Sequence, residues 1–177
     1  MKKIALASVI ALASIGAQAQ MYGEVGYTAT TAKKNVNGNG IKASPSALRG
    51  ILGYELNPNL AVEGMVAFGM SDATVKVNGV SATGVKLGID NAVGLYLKPK
   101  TKLNDQVELF GRVGFVKGKI SVAGFSSETD SESSFSYGAG FSYAINPTTS
   151  LNADYMQYLS KNGFKVNGFT FGVGFKF

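Results

Sequence analysis

The 177-residue chain has no cysteine, no histidine and only four prolines. Without cysteine there is neither a disulfide framework nor an N-terminal thiol to carry a lipid anchor. Without histidine every His-dependent triad is excluded, because no imidazole is present to move a proton near neutral pH. Metal ligation would fall to carboxylates alone. The one long apolar run, Ile4 to Ile15, is too short to cross a bilayer as a helix, and no second one follows.

That run follows Lys2 and Lys3 and precedes Ala17-Gln18-Ala19, a small-x-small cleavage pattern, so residues 1–19 read as a secretory signal peptide. Residues 20–177 then form one domain. Losing Lys2 and Lys3 leaves 15 basic against 11 acidic residues, a bias of +4 too weak and dispersed to argue for nucleic acid.

Period-two alternation runs through the rest of the chain in eight segments, each with an apolar set and a small or polar set. Val25, Tyr27 and Ala29 oppose Glu24, Gly26 and Thr28. Leu48, Leu52, Tyr54 and Leu56 oppose Arg49, Ile51, Gly53 and Glu55, and Leu60, Val62, Val66 and Phe68 oppose Ala61, Glu63, Ala67 and Gly69. The fourth segment, Gly84 to Leu97, carries Val85, Leu87, Ile89, Val93, Leu95 and Leu97 in one phase. That phase turns Asn91 to the apolar side, which predicts a bulge near Asp90-Asn91. Val107, Leu109, Val113 and Phe115 oppose Glu108, Phe110, Arg112 and Gly114. Phe135, Tyr137, Phe141, Tyr143 and Ile145 face away from Ser136, Gly138, Gly140 and Ser142. Leu151, Ala153, Tyr155 and Leu159 alternate with Asn152, Asp154, Met156 and Tyr158. The last segment sets Phe169, Phe171, Val173, Phe175 and Phe177 against Thr170, Gly172, Gly174 and Lys176.

Short connectors predicted at Asn57-Pro58-Asn59, Lys98 to Gln106 and Asn146 to Ser150 hold three of the four prolines. Longer polar connectors are predicted at 32–46, 71–83 and 116–134. Asn78-Gly79 and Asn162-Gly163 read as hairpin turns, while Asn167-Gly168 falls inside a strand.

Hydrocarbon offers no water to backbone N–H and C=O groups, so only helices or closed barrels span it, and no spanning helix is present. Segments of about 9–11 residues, alternating short and long connectors, and a terminus that alternates to its last residue predict an eight-stranded antiparallel up-and-down transmembrane β-barrel. An even strand number puts both termini on the periplasmic side. Tyr54, Tyr143, Phe175 and Phe177 would form one aromatic girdle and Phe68, Phe115 and Phe135 the other. A soluble barrel or sandwich burying the same residues is the competing architecture.

With alternate apolar residues closing on Phe177, residues 20–177 resemble the small eight-stranded outer-membrane barrels: the OmpA transmembrane domain, OmpX-like and opacity-type surface proteins. The resemblance implies that Phe171, Val173, Phe175 and Phe177 form the signal read by the barrel-assembly machinery, and that the protein inserts in outer-membrane lipid. No OmpA-like peptidoglycan-binding domain follows in this chain. Outer-membrane barrels that are enzymes use His beside Ser or Asp, so an enzyme is not expected, nor is a cofactor.

An interior of this strand number can be filled by side chains. Glu24, Arg49, Glu55, Glu63, Glu108, Arg112 and Asp154 are expected to pair there as a plug, with Lys86 and Asp90 joining or not according to the bulge. The alternative is a narrow pore for water, ions or very small solutes. Gly138-Ala139-Gly140 and Gly172-Val173-Gly174 lie within strands and open no helix, so they are not phosphate loops. Function is left to the surface, as envelope integrity or as adhesion to a host or other surface macromolecule through the longer connectors. Lys33, Lys34, Lys117 and Lys119, with Lys165, are candidate contacts for lipopolysaccharide phosphates.

Overall fold

The computed structural model describes residues 21–36, 38–123, 130–161 and 163–177. They form ten antiparallel strands: β1 (Met21–Val36), β2 (Asn39–Ala43), β3 (Ser46–Asn57), β4 (Leu60–Ser71), β5 (Ala73–Val77), β6 (Val80–Lys102), β7 (Val107–Ala123), β8 (Asp130–Ala144), β9 (Thr149–Lys161) and β10 (Phe164–Lys176). Pairing of β10 with β1, from Tyr22 opposite Lys176 to Lys34 opposite Phe164, closes the sheet into a cylinder. The closing rung explains the alternation of the last residues: Phe171 and Phe175 stand opposite Tyr27 and Gly23 in an ordinary ladder, so the terminus is not an edge.

Ten strands make an eight-strand wall because two wall strands are interrupted. Ala32 pairs with Ala43 on β2, and Ala29 pairs with Ser46 on β3, so β1 keeps one register across the break at Ser44-Pro45. Both the Thr30 amide and its hydroxyl donate to the Pro45 carbonyl, which ties the break to the wall. In the same way β5 stands beyond β4, pairing with β2 on one side and β6 on the other. The predicted long connectors at 32–46 and 71–83 are therefore mostly strand. Gly- and Asn-rich composition suits a hairpin arm solvated on both faces as well as it suits a loop, so composition alone did not separate them. Asn78 and Gly79 carry φ of 50° and 86°, the left-handed pair that a two-residue hairpin turn requires. Gly163 (φ 76°) turns β9 toward β10, and Asn167-Gly168 lies within β10.

The alternation sorts inside from outside as expected over most of the wall. Leu95, Phe115, Phe141 and Phe171 are exposed on the outer face, with Phe115 and Phe135 edge to face at 5.7 Å. Glu24, Arg49, Glu63, Arg112 and Asp154 are buried inside.

Two bulges change the phase. On β6, Ile89 pairs with Ile120 but Asn91 pairs with Lys119, leaving Asp90 as the extra residue where a bulge is expected. Its consequence runs against the single phase read from the sequence: Ile89 lines the lumen and Leu87 packs against an interior cluster, while Val93, Leu95 and Leu97 face out. On β9, Val166 pairs with Leu159 but Asn167 with Gln157, so Tyr158 is extra and Leu159 turns inward, buried, rather than outward. A third correction concerns Lys98 to Gln106. Strand β6 continues to Lys102, and Pro99 sits in it rather than in a turn. Leu97 still pairs with Val113 and Lys100 with Phe110, and the rung between them falls where proline has no N–H to give.

Candidate functional site: the lumen and the hairpin rim

Three carboxylates converge on one guanidinium at mid-lumen. Arg112, projecting inward from β7, donates from Nε to Glu63 Oε2 (2.5 Å), from Nη2 to Glu63 Oε1 (3.0 Å) and Glu24 Oε2 (2.7 Å), and from Nη1 to Asp154 Oδ2 (2.7 Å). These partners come from β4, β1 and β9, so a single side chain spans the cross-section. Arg49 on β3 grips Asp154 with both Nη atoms, Nη1 to Oδ1 at 2.9 Å and Nη2 to Oδ2, and gives a further bond from Nη1 to the Tyr158 hydroxyl (3.1 Å). Lys98 Nζ lies 3.2 Å from Glu24 and 3.4 Å from Glu63, above the faces of Phe110 and Tyr22 at 4.4 and 4.7 Å from the ring centroids. The Tyr22 hydroxyl donates to Glu63 Oε1 (2.6 Å). Its ring crosses Gly53, where a Cβ would stand 2.2 Å from it.

Arg49, Lys98 and Arg112 thus balance Glu24, Glu63 and Asp154, three charges of each sign, all buried. Burying ions is costly and their attraction repays it only with such complete hydrogen bonding; removing one partner strands the others at about 3–5 kcal/mol. Toward the end that holds the termini, a second tier pairs Lys100 with Glu55 (2.6 Å) and Glu108 (3.4 Å), with Lys176 3.9 Å from Glu55. The seven predicted lumen charges therefore fall in these two tiers, whereas Lys86 and Asp90 do not join them. Both are exposed, and Asp90 accepts from the Ser121 hydroxyl at 2.8 Å.

Sequence reasoning missed Lys98, Lys100 and Tyr22. The two lysines share the inward phase of Tyr96, a signal masked by reading Pro99 as a turn. Among the described residues no group of three or more acidic side chains is free to hold a metal ion, since the clustered carboxylates already surround cations.

Toward the opposite, hairpin end the lining changes character. Ile51, Met65, Tyr96, Val116 and Met156 form one apolar cluster just beyond the charges, and Ala32, Leu159 and Val166 form another nearer the rim, with Leu87, Tyr158 and Phe164 against it.

At that rim the register brings together lysines far apart in sequence. Lys33 is directly opposite Lys165 on β10 and Lys42 on β2, and Lys42 is opposite Lys76 on β5. All four are exposed. Neighbouring strands run about 4.8 Å apart, and like charges directly opposite repel. Among the described residues no carboxylate pairs with any of the four. Lys117 and Lys119 lie on β7, four strands from β1 in either direction, so they and Lys33 are on opposite sides of the cylinder. Lys34, opposite Ile41 and Phe164, stands beside the row. At the other end Phe171, Val173 and Phe175 share the outer face of β10, and Phe177, exposed, follows it with its amide bonded to the Met21 carbonyl.

Known proteins share this architecture. Residues 4–177 match the family model described as outer membrane protein beta-barrel domain. The attachment invasion locus protein of Yersinia pseudotuberculosis is 29% identical over 187 residues, covering 99% of this chain and 97% of that protein. The crystal structure of Ail, the attachment invasion locus protein of Yersinia pestis, in complex with the heparin analogue sucrose octasulfate superposes with a TM-score of 0.64 at 20% identity, covering 91% of this chain and all of that one. Neisserial surface protein A gives 0.68 at 17% identity, over 89% and 97% of the two chains. With a closed antiparallel wall, an apolar outer face and a family match over nearly its whole length, the chain belongs to the outer membrane protein beta-barrel family.

Proposed function

We propose that this protein is a non-enzymatic surface barrel of the outer membrane, with a lumen plugged by side chains and a hairpin rim that meets macromolecules outside the cell, serving envelope integrity and adhesion. The observation that carries the plug is the buried Arg112 guanidinium, bonded at once to carboxylates from three separate strands. Residues 1–19 act as the signal peptide, outside the described residues, and the outer row ending at Phe177 is what the barrel-assembly machinery reads. Both termini lie on the periplasmic side, and the hairpins point outward. Purified protein in a planar bilayer should then pass no steady single-channel current. A large, steady conductance would overturn the plug and favour the narrow pore.

The attachment invasion locus relatives support adhesion as the role of the rim, with a host or other surface macromolecule as partner. A specific observation favours a second contact. Four uncompensated lysines in adjacent strands, Lys165, Lys33, Lys42 and Lys76, suit a row of anionic groups such as the phosphates of lipopolysaccharide. Lys34, next to Lys33 on β1, projects to the other face of the strand and is not part of that row, while Lys117 and Lys119 would form a separate contact across the barrel. Replacing Lys33, Lys42, Lys76 and Lys165 by Gln should weaken co-purification with lipopolysaccharide more than replacing Lys117 and Lys119. Equal retention by all variants removes the row as a binding site.

A further inference from the structure

The space between the charged plug and the rim is not filled. An interior cavity of about 80 Å³ lies there, lined by Thr28, Ala47, Met65, Ala67, Ala92 and Val116 among others, with Arg49 and Tyr158 in its floor and Leu159 and Val166 toward the rim. Its origin is local: Ala67 on β4 stands opposite Arg49 on one side and Ala92 on the other, and Ala92 stands opposite Gly118 on β7. Three inward positions in one row are too small to reach the axis, and the one long side chain, Arg49, is drawn away to Asp154.

The lining decides what can enter. Its interior polar groups are already bonded to protein: Thr28 Oγ1 lies 3.0 Å from Thr170 Oγ1, Thr30 donates to the Pro45 carbonyl at 2.6 Å, and Arg49 is engaged by Asp154 and Tyr158. A bound water needs about two to four polar partners, whereas the surface these residues present to the space is almost wholly apolar and Lys119, the remaining charged residue of the lining, is exposed, so an apolar guest is favoured over water. The volume is roughly half that of the ~150 Å³ engineered cavity that holds benzene. A xenon atom or the end of an alkyl chain fits that volume.

We infer that the rim half of the lumen is a binding chamber for a small apolar group, a short alkyl chain or its terminus, seated above the ionic plug and not passed through it. The plug is a floor in this picture, so the chamber stands whether or not the rim binds a host molecule. With the Met65 methyl labelled by ¹³C and the whole barrel in lipid nanodiscs, dissolved propane or xenon should shift the Met65 resonance saturably, while exposed Met70 changes linearly with the gas partitioned into lipid. Ala92→Leu, which grows into the space, should abolish the saturable part, and Ala67→Val should reduce it. Retained heat-dependent gel migration shows that each variant folds. An unshifted Met65, a shift unchanged in Ala92→Leu, or magnetisation transfer from water to the Met65 methyl would each overturn the assignment.

Discussion

The two halves of the lumen solve the same packing problem with opposite chemistry. From mid-lumen toward the termini the interior is spanned by long charged side chains, Arg112, Lys98 and Lys100 reaching across to Glu24, Glu63 and Glu55. Toward the hairpins it is lined by Met65, Val116, Leu159 and Val166, and a void persists. Charged side chains fill a narrow cylinder because each can be long and can find its partner on a strand several places away. Small apolar residues have no such reach, so their half packs locally and leaves the axis open. The charged half is therefore cross-braced from strand to strand, and the apolar half has room to accommodate something else.

The comparison breaks most sharply at its hub. Arg112→Met should cost about 3–5 kcal/mol, because three buried carboxylates lose their shared cation, and urea titration of the lipid-embedded barrel followed by circular dichroism or gel migration measures it. A loss below 1 kcal/mol would mean that the plug is hydrated. In the apolar half Met65→Ala should cost about 2–3 kcal/mol, toward the low end of large-to-small changes because the chamber already exists. The same titration gives that value, and a loss equal to that of Arg112→Met would erase the difference between the halves. At the rim, Lys33→Gln with Lys165→Gln should change stability by less than about 1 kcal/mol, in the stabilising direction as an opposed like-charge pair is relieved. A clear destabilisation there would show the lysines to be structural.

Much of this was legible in the sequence because the inside-outside sorting of a β-wall repeats every two residues. Leu48 to Leu56 and Phe135 to Tyr143 display it without structural help, and Glu63, Arg112 and Asp154 then fall inside together. The turn at Asn78-Gly79 and the irregularity at Asp90 were also legible, the first from left-handed preference and the second from an Asn out of phase. What escaped depends on neighbours distant along the chain. Nothing local announces the bulge at Tyr158 that turns Leu159 inward. The row of Lys165, Lys33, Lys42 and Lys76, and the alignment of Ala67 with Ala92 and Gly118, exist only through register between strands. Pro99 misled for a different reason: proline usually marks a turn, yet one missing rung is tolerated when the flanking pairs hold.

The uninterrupted register of β1 against β2 and β3 bears on how other molecules meet this surface. At the hairpin tips the Asn78 amide donates to the Gly40 carbonyl, and the Gly40 amide donates to the Asn78 side chain, stapling two neighbouring arms together. With the hairpin end outward, as proposed, a visitor to these two arms would meet a ridge continuous with the wall strands. Binding there would demand a partner already shaped to the ridge, and sequence drift would be tolerated in the identity of its side chains far more readily than in its length.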